Sequence, residues 1–206
     1  MRDVEEVDLL GSGDFIWHVF DPQVKADLFS TGLLTPAGTY LIDVIPLAQS
    51  ALVSAVAASR IAGIVVTNAN HVRDAAALAR RLSVGVYARA AAAAEIPDAA
   101  VIEIDVGDDA GIPGVETIAI DGGAAGEIAL FRADASGGTL VIGDAVINSG
   151  SYGFTLLPPK YCADAKLLRK SLGQLLDYTF ERMLFAHGAP ILSRARSRLA
   201  ELLDAS

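Results

Sequence analysis

The polar residues that could do chemistry gather in one short stretch, Ile64 to Asp74, reading IVVTNANHVRD. Thr67, Asn68, Asn70, His71, Arg73 and Asp74 bring hydroxyl, amide, imidazole, guanidinium and carboxylate groups close together along the chain. Amide oxygens suit hard cations better than zinc, an imidazole can act as base or ligand, and a guanidinium keeps its positive charge. The β-branched run Ile64-Val65-Val66 reads as a buried strand. After the turn through Asn68-Ala69-Asn70, a helix carries an apolar stripe at Val72, Ala75, Ala76, Ala79 and Leu82. Ligands in α/β sheets bind in the crevice at strand carboxyl ends, which is where this cluster falls. Asn70 is placed to cap the helix, and His71 is expected to be exposed or bonded to backbone. No serine-histidine-aspartate arrangement stands out. Gly11-Ser12-Gly13 and Gly122-Gly123 lack the lysine or the strand-helix setting of a phosphate loop.

The elements that must position these groups begin with two β runs, FIWHVF from Phe15 and KADLFSTGLL from Lys25. A turn at Pro36-Ala37-Gly38 leads into TYLIDVI, an antiparallel hairpin in which proline presets one dihedral and glycine allows a positive one. Helical text at Leu47 to Ala58 precedes the central strand; Val84 to Tyr87 and Ala90 to Glu95 follow as strand and helix, and this alternation implies a parallel layer. Val101 to Val106, Glu116 to Ile120, Glu127 to Arg132 and Thr139 to Ile142 read as further strands. INSGSYGFTLLPPKY, from Ile147 to Tyr161, reads as a loop before a helix at Ala163 to Leu176, a strand at Met183 to Ala186 and a last helix. Periodicity alone supports a mixed α/β (α+β) domain spanning residues 1–206.

The strand ending at Thr67-Asn68-Ala69-Asn70 resembles the place where metallo-β-lactamase-fold proteins carry Thr-His-x-His-x-Asp-His. With Thr67 on the family threonine, Asn68 and Asn70 stand on the first two histidines, Val72 on the aspartate and Arg73 on the last histidine. Gly123, within Asp121-Gly122-Gly123-Ala124-Ala125-Gly126, stands on a further histidine. Gly143-Asp144 matches the pair that supplies a bridging carboxylate, and His187 in FAHGAPI matches the terminal histidine. Asp43 resembles a structural aspartate at the rim, expected to order loop backbone. The resemblance implies a four-layer αββα sandwich whose cleft is lined by Asn68, Asn70, His71, Arg73, Gly123, Asp144 and His187. Asp144 and His187 are the remaining metal-ligand candidates, so the expectation is no cofactor, or at most one weakly held ion. Arg73 is then expected to replace the missing cations by pairing with Asp144.

These residues imply a scaffold with a degraded metal centre that binds a small molecule or partner protein without catalysis. The alternative is a hydrolase, mononuclear or metal-free, with His187 as base. A net charge of −9 argues against nucleic acid. No apolar run reaches membrane-spanning length, and the charged start MRDVEEVD does not read as a secretory signal, so a cytoplasmic setting is expected. The lone Cys162 forbids an intramolecular disulfide and is expected to be inert. Arg194, Arg196 and Arg198 read as the solvated face of the last helix, opposite Leu192, Ala195, Leu199 and Leu202.

Overall fold

A computed structural model describes residues 3–11, 13–56, 59–107, 111–150 and 152–205. Thirteen strands among these are β1 Asp8–Leu9, β2 Phe15–Asp21, β3 Ala26–Thr35, β4 Gly38–Ile42, β5 Ile61–Val65, β6 Val86–Ala88, β7 Val101–Glu103, β8 Glu116–Ala119, β9 Ile128–Arg132, β10 Thr139–Ile142, β11 Val146–Ser149, β12 Gly153–Leu156 and β13 Arg182–Phe185. The helices are α1 Gln49–Ala55, α2 Ala75–Leu82, α3 Ala90–Ala93, α4 Ala165–Gly173 and α5 Ala195–Ala205. The first sheet runs in chain order from β1 to β7, antiparallel as far as β4 and parallel from β4 onward. The second has the order β13-β10-β9-β8, with β10 and β13 parallel.

Three apolar clusters show how the layers stack. Because side chains alternate across a strand, Leu41, Ile64 and Val66 face a core shared with Leu52, Leu78 and Ala92 of α1, α2 and α3. Their neighbours Tyr40, Ile42 and Val65 face the other way, onto Ile128, Leu130, Val141 and Leu184 of the second sheet. Leu140, Ile142, Met183 and Phe185 turn outward again, onto Leu168 and Leu172 of α4 and Ala195 and Leu199 of α5. Helices, sheet, sheet and helices make the αββα order.

A buried ion network joins the sheets at one end. Arg132 takes both carboxylate oxygens of Asp14, at 2.6 and 2.8 Å, and one oxygen of Asp134 at 3.0 Å; Arg182 reaches Asp134 at 2.7 Å. At the opposite end the carboxyl termini of β4, β5, β10 and β13 open together, and each is followed within a few residues by a polar side chain: Asp43, Thr67, Asp144 and His187.

Several expected elements differ. The segment from Ile147 to Tyr161 is not a plain loop: β11 and β12 pair as an antiparallel hairpin, which alternation failed to signal because apolar Phe154, Leu156 and Leu157 follow a glycine- and serine-rich turn. Residue 151 of that turn lies outside the described residues, as do Ser12 of the Gly11-Ser12-Gly13 run, residues 57 and 58 of the expected first helix, and residues 1, 2 and 206 of the expected domain. Val101 to Val106 forms a strand only to Glu103, and α5 begins after Leu192, which is half exposed. Asn70 does not cap α2; that helix follows Asp74, whose side chain makes no capping bond. Among the described residues no helix is long and apolar enough to cross a membrane.

Candidate metal centre

The chain leaving β5 passes through buried Val66 and Thr67, and Asn68 then starts a short 3-10 turn, Ala69–His71, by accepting the Asn70 N–H on its own side-chain oxygen at 2.9 Å. The turn aims His71 inward, where it is only 2% exposed. Its Nδ1 lies 2.8 Å from Asp43 Oδ2 and its Nε2 lies 3.0 Å from Asp144 Oδ1. His187 Nε2 stands 3.2 Å from the same Asp144 oxygen and 3.3 Å from His71 Nε2. Asn70 donates to the other Asp144 oxygen at 3.1 Å.

Asp43 anchors this arrangement. Its carboxylate accepts the Thr67 N–H at 2.8 Å and the Thr67 hydroxyl at 2.6 Å while facing His71 Nδ1. An ionised carboxylate only accepts, so His71 Nδ1 carries a proton toward Asp43 and, by the same rule, Nε2 carries one toward Asp144; losing the Nε2 proton would turn that lone pair toward Asp144 and His187. Burial pulls the His71 pKa down, but the charges of Asp43 and Asp144 overcome it and hold it at about 9. Burial likewise opposes ionisation of Asp144, yet His71 and His187 keep its carboxyl far below the ordinary range. Asp43 is also held low against burial, chiefly by His71.

His71 is therefore neither exposed nor merely bonded to backbone, as the sequence reading had it. The frame anchored on Thr67 passes over it, because one 3-10 turn brings the residue beyond Asn70 to the position where a ligand is useful. The available signal was an imidazole four residues past a threonine at a strand end.

Arg73 also departs from expectation. It lines the cleft, but its guanidinium bonds carbonyls rather than Asp144: Phe29 O and Asp43 O at 2.8 Å each, and Ala186 O at 3.3 Å. Asp144 has two imidazoles and an amide, which leaves an arginine partner unnecessary. Of the seven residues expected in the cleft, Asn70, His71, Arg73, Asp144 and His187 line one depression of about 490 Å³. Asn68 and Gly123 do not: Asn68 is fully buried by its capping role, and Gly123 lies beneath Glu127 and Leu168.

Among the described residues, His71, Asp144 and His187 are the group whose ligand atoms converge. Tetrahedral zinc with bonds of about 2.0 to 2.1 Å sets neighbouring donors roughly 3.3 to 3.4 Å apart. The observed separations of 3.0, 3.2 and 3.3 Å come close to one face of such a tetrahedron. The carboxylate behind His71 is the usual outer partner of a ligating imidazole. The residues present fit a divalent ion.

Residues 6–206 match the metallo-beta-lactamase superfamily. The chain belongs to this superfamily. Among curated proteins no match is found. Similar solved structures include the DIM-1 metallo-beta-lactamase exposed to ceftazidime, at TM-score 0.72 and 12% identity over 99% of each chain. A metallo-beta-lactamase from Pontibacter korlensis superposes at TM-score 0.71 with 17% identity over 98% of this chain and 99% of that one. TTHA1623, solved in a di-iron-bound form, gives 0.63 at 23% identity over 90% and 98%. These likenesses bear out the four-layer fold. They overturn the expectation of no cofactor: the neighbours are metallo-beta-lactamases and a di-iron protein, and metal ions are the cofactor class of the superfamily.

Proposed function

We propose that this metallo-beta-lactamase superfamily member is a metal-assisted hydrolase whose ion is held by His71, Asp144 and His187. The convergence of three ligand atoms at 3.0 to 3.3 Å carries this reading. Three protein donors leave a coordination position open, as catalytic sites require. A bound divalent ion there would polarise a substrate oxygen and ease deprotonation of water. The chain's own residues prepare the place. Asp43 holds His71 in the tautomer that presents Nε2, and Asn70 restrains one Asp144 oxygen so that the other faces the imidazoles. A second depression, of about 570 Å³, meets the first at Asn70, Asp144 and His187 and extends between Tyr152 and Tyr161. Room for a small-molecule substrate thus lies on both sides of the ligands.

A second reading, a centre that binds a small molecule or partner without turning it over, is favoured by one observation. The positions that carry the other family ligands hold Asn68, whose amide is spent on a cap, Asn70, whose amide donates to Asp144, Arg73, whose guanidinium is spent on carbonyls, Val72 and Gly123. Elemental analysis of protein purified without chelator, followed by assay on lactam, thioester and phosphodiester substrates, separates the two. Bound metal, with turnover lost in His71→Ala, is the expected result. Metal without turnover selects the second reading, and metal-free protein that also takes up no added zinc, iron or cobalt overturns the hydrolase reading.

A further inference from the structure

We infer that Glu127 is a positioning residue for the metal centre, its carboxyl group fastening the segment that carries Asp144 to the turn between β8 and β9. Glu127 is 1% exposed. One oxygen accepts the N–H of Ala145, the residue after Asp144, at 2.7 Å, and the other accepts the N–H of Ala124 at 3.1 Å. That turn is tied in its own right to the strand that delivers His71: Ala69 N–H donates to Ala125 O, and Ile128 N–H donates to Thr67 O, both at 2.9 Å. The carboxyl group thus stands where three segments meet, residues 67–71, 121–128 and 143–145, two of which carry proposed ligands.

The packing around it has the same focus. A Cβ at Gly143 would lie 3.0 Å from Glu127 Oε1, besides 2.6 Å from Thr67 Oγ1 and 2.8 Å from Asn68 Nδ2. At Gly123 a Cβ would lie 2.9 Å from Oε2. The carboxyl group occupies the space that side chains at both positions would need, including the one aligned with a family ligand. Burying a carboxyl group is costly unless its oxygens are bonded. An aliphatic residue would fill the volume, but only a carboxyl offers two acceptor atoms to two separate N–H groups. Glu127 touches no ligand side chain and acts through the backbone beside Asp144; partners bonded directly to a ligand typically contribute about tenfold or more to metal binding, and that is the scale expected for losing this one.

The inference rests on the metal reading for its consequence but not for its geometry, so the test has two arms. Glu127→Gln keeps the shape and loses one acceptor. In the first arm Co²⁺ is titrated into parent and variant; affinity is expected to fall about tenfold, with an altered visible spectrum at saturation, which a merely structural role would leave unchanged. Equal affinity and identical spectra overturn the inference. The second arm uses metal-free protein and NMR. Coupling across the hydrogen bond from Ala145 N to the Glu127 carboxyl carbon is expected in the parent, and the His71 and His187 ring nitrogens are expected to shift in the variant as Asp144 moves. Absence of that coupling in the parent overturns the inference even if the variant does not fold, and so do unmoved ring nitrogens in a folded variant. A parent that takes up no Co²⁺ counts against the proposed function alone, and the NMR arm then decides Glu127.

Discussion

A buried imidazole flanked by Asp43 and Asp144 has two ways to satisfy those carboxylates, a proton or a metal ion on Nε2. His71→Ala removes both and leaves two buried carboxylates short of a partner. A loss of roughly 3 kcal/mol is expected in metal-free protein at pH 6, read from the urea midpoint. Arg73 poses a different problem: its φ of 39° is unfavourable for a side-chain-bearing residue. Guanidinium bonds to Asp43 O and to Ala186 O, the carbonyl before His187, hold it there. Arg73→Ala should cost roughly 3 kcal/mol, and Arg73→Lys should not recover it because an ammonium cannot reproduce the planar fork; a lysine variant with the parent's urea midpoint would contradict this. The two residues show what was legible in the sequence. Asp144 and His187 could be found because each follows a strand and a glycine marks the spot. His71 could be placed in the cleft but not read as a ligand, since that role depends on a 3-10 turn and a distant carboxylate. Arg73 was assigned the wrong partner because charge suggests pairing, whereas backbone carbonyls at strand ends leave no trace in the text.

Strand ends, more than helices, place this site. The short strand β13 runs parallel to β10, and a bridge between Leu28 and His187 brings its continuation against the first sheet. Gly188 makes the next turn possible. Its φ is 102°, and a Cβ there would fall 2.0 Å from Asn148 O in the β11–β12 hairpin. Gly188→Ala should therefore cost more than the roughly 1 kcal/mol of the dihedral alone, and it should displace His187, lowering Co²⁺ affinity as well as thermal stability. Unchanged affinity in a folded variant would show that the hairpin contact does not govern the ligand. Strands such as β5, β9 and β10 were readable because cores on both faces bury them, which leaves short continuous apolar runs in the text. The β11–β12 hairpin was not, for glycine and serine at its turn mimic a loop and its partner strand is recognisable only in space.

At the scale of the molecule, the pKa directions combine into one expectation for stability. His71, raised from 6.5 to about 9, and Glu127, raised from 4.5 to about 7 by burial and by the charge of Asp144, keep protons in the folded chain that the unfolded chain has lost. Stability therefore falls with rising pH through both windows. Asp43 and Asp144, held below 3.8, act in the opposite sense: their contribution is present above that value and lost as pH falls through the folded pKa. The metal-free protein should be most stable near about pH 4 to 5, below the usual optimum, and an ion that displaces the His71 proton should flatten the alkaline decline. Urea midpoints across pH 3 to 9, with and without Zn²⁺, test this; a metal-free maximum at pH 7 to 8 would refute it. The spread of the ligands along the chain has a kinetic meaning too. His71 and His187 are separated by 116 residues, and closing such a loop costs roughly 4 kcal/mol of chain entropy before any contact is made. The ligands cannot meet until both sheets have docked, so the ion is a lock on the finished molecule and no seed for its formation: added Zn²⁺ should leave the refolding rate alone and slow unfolding.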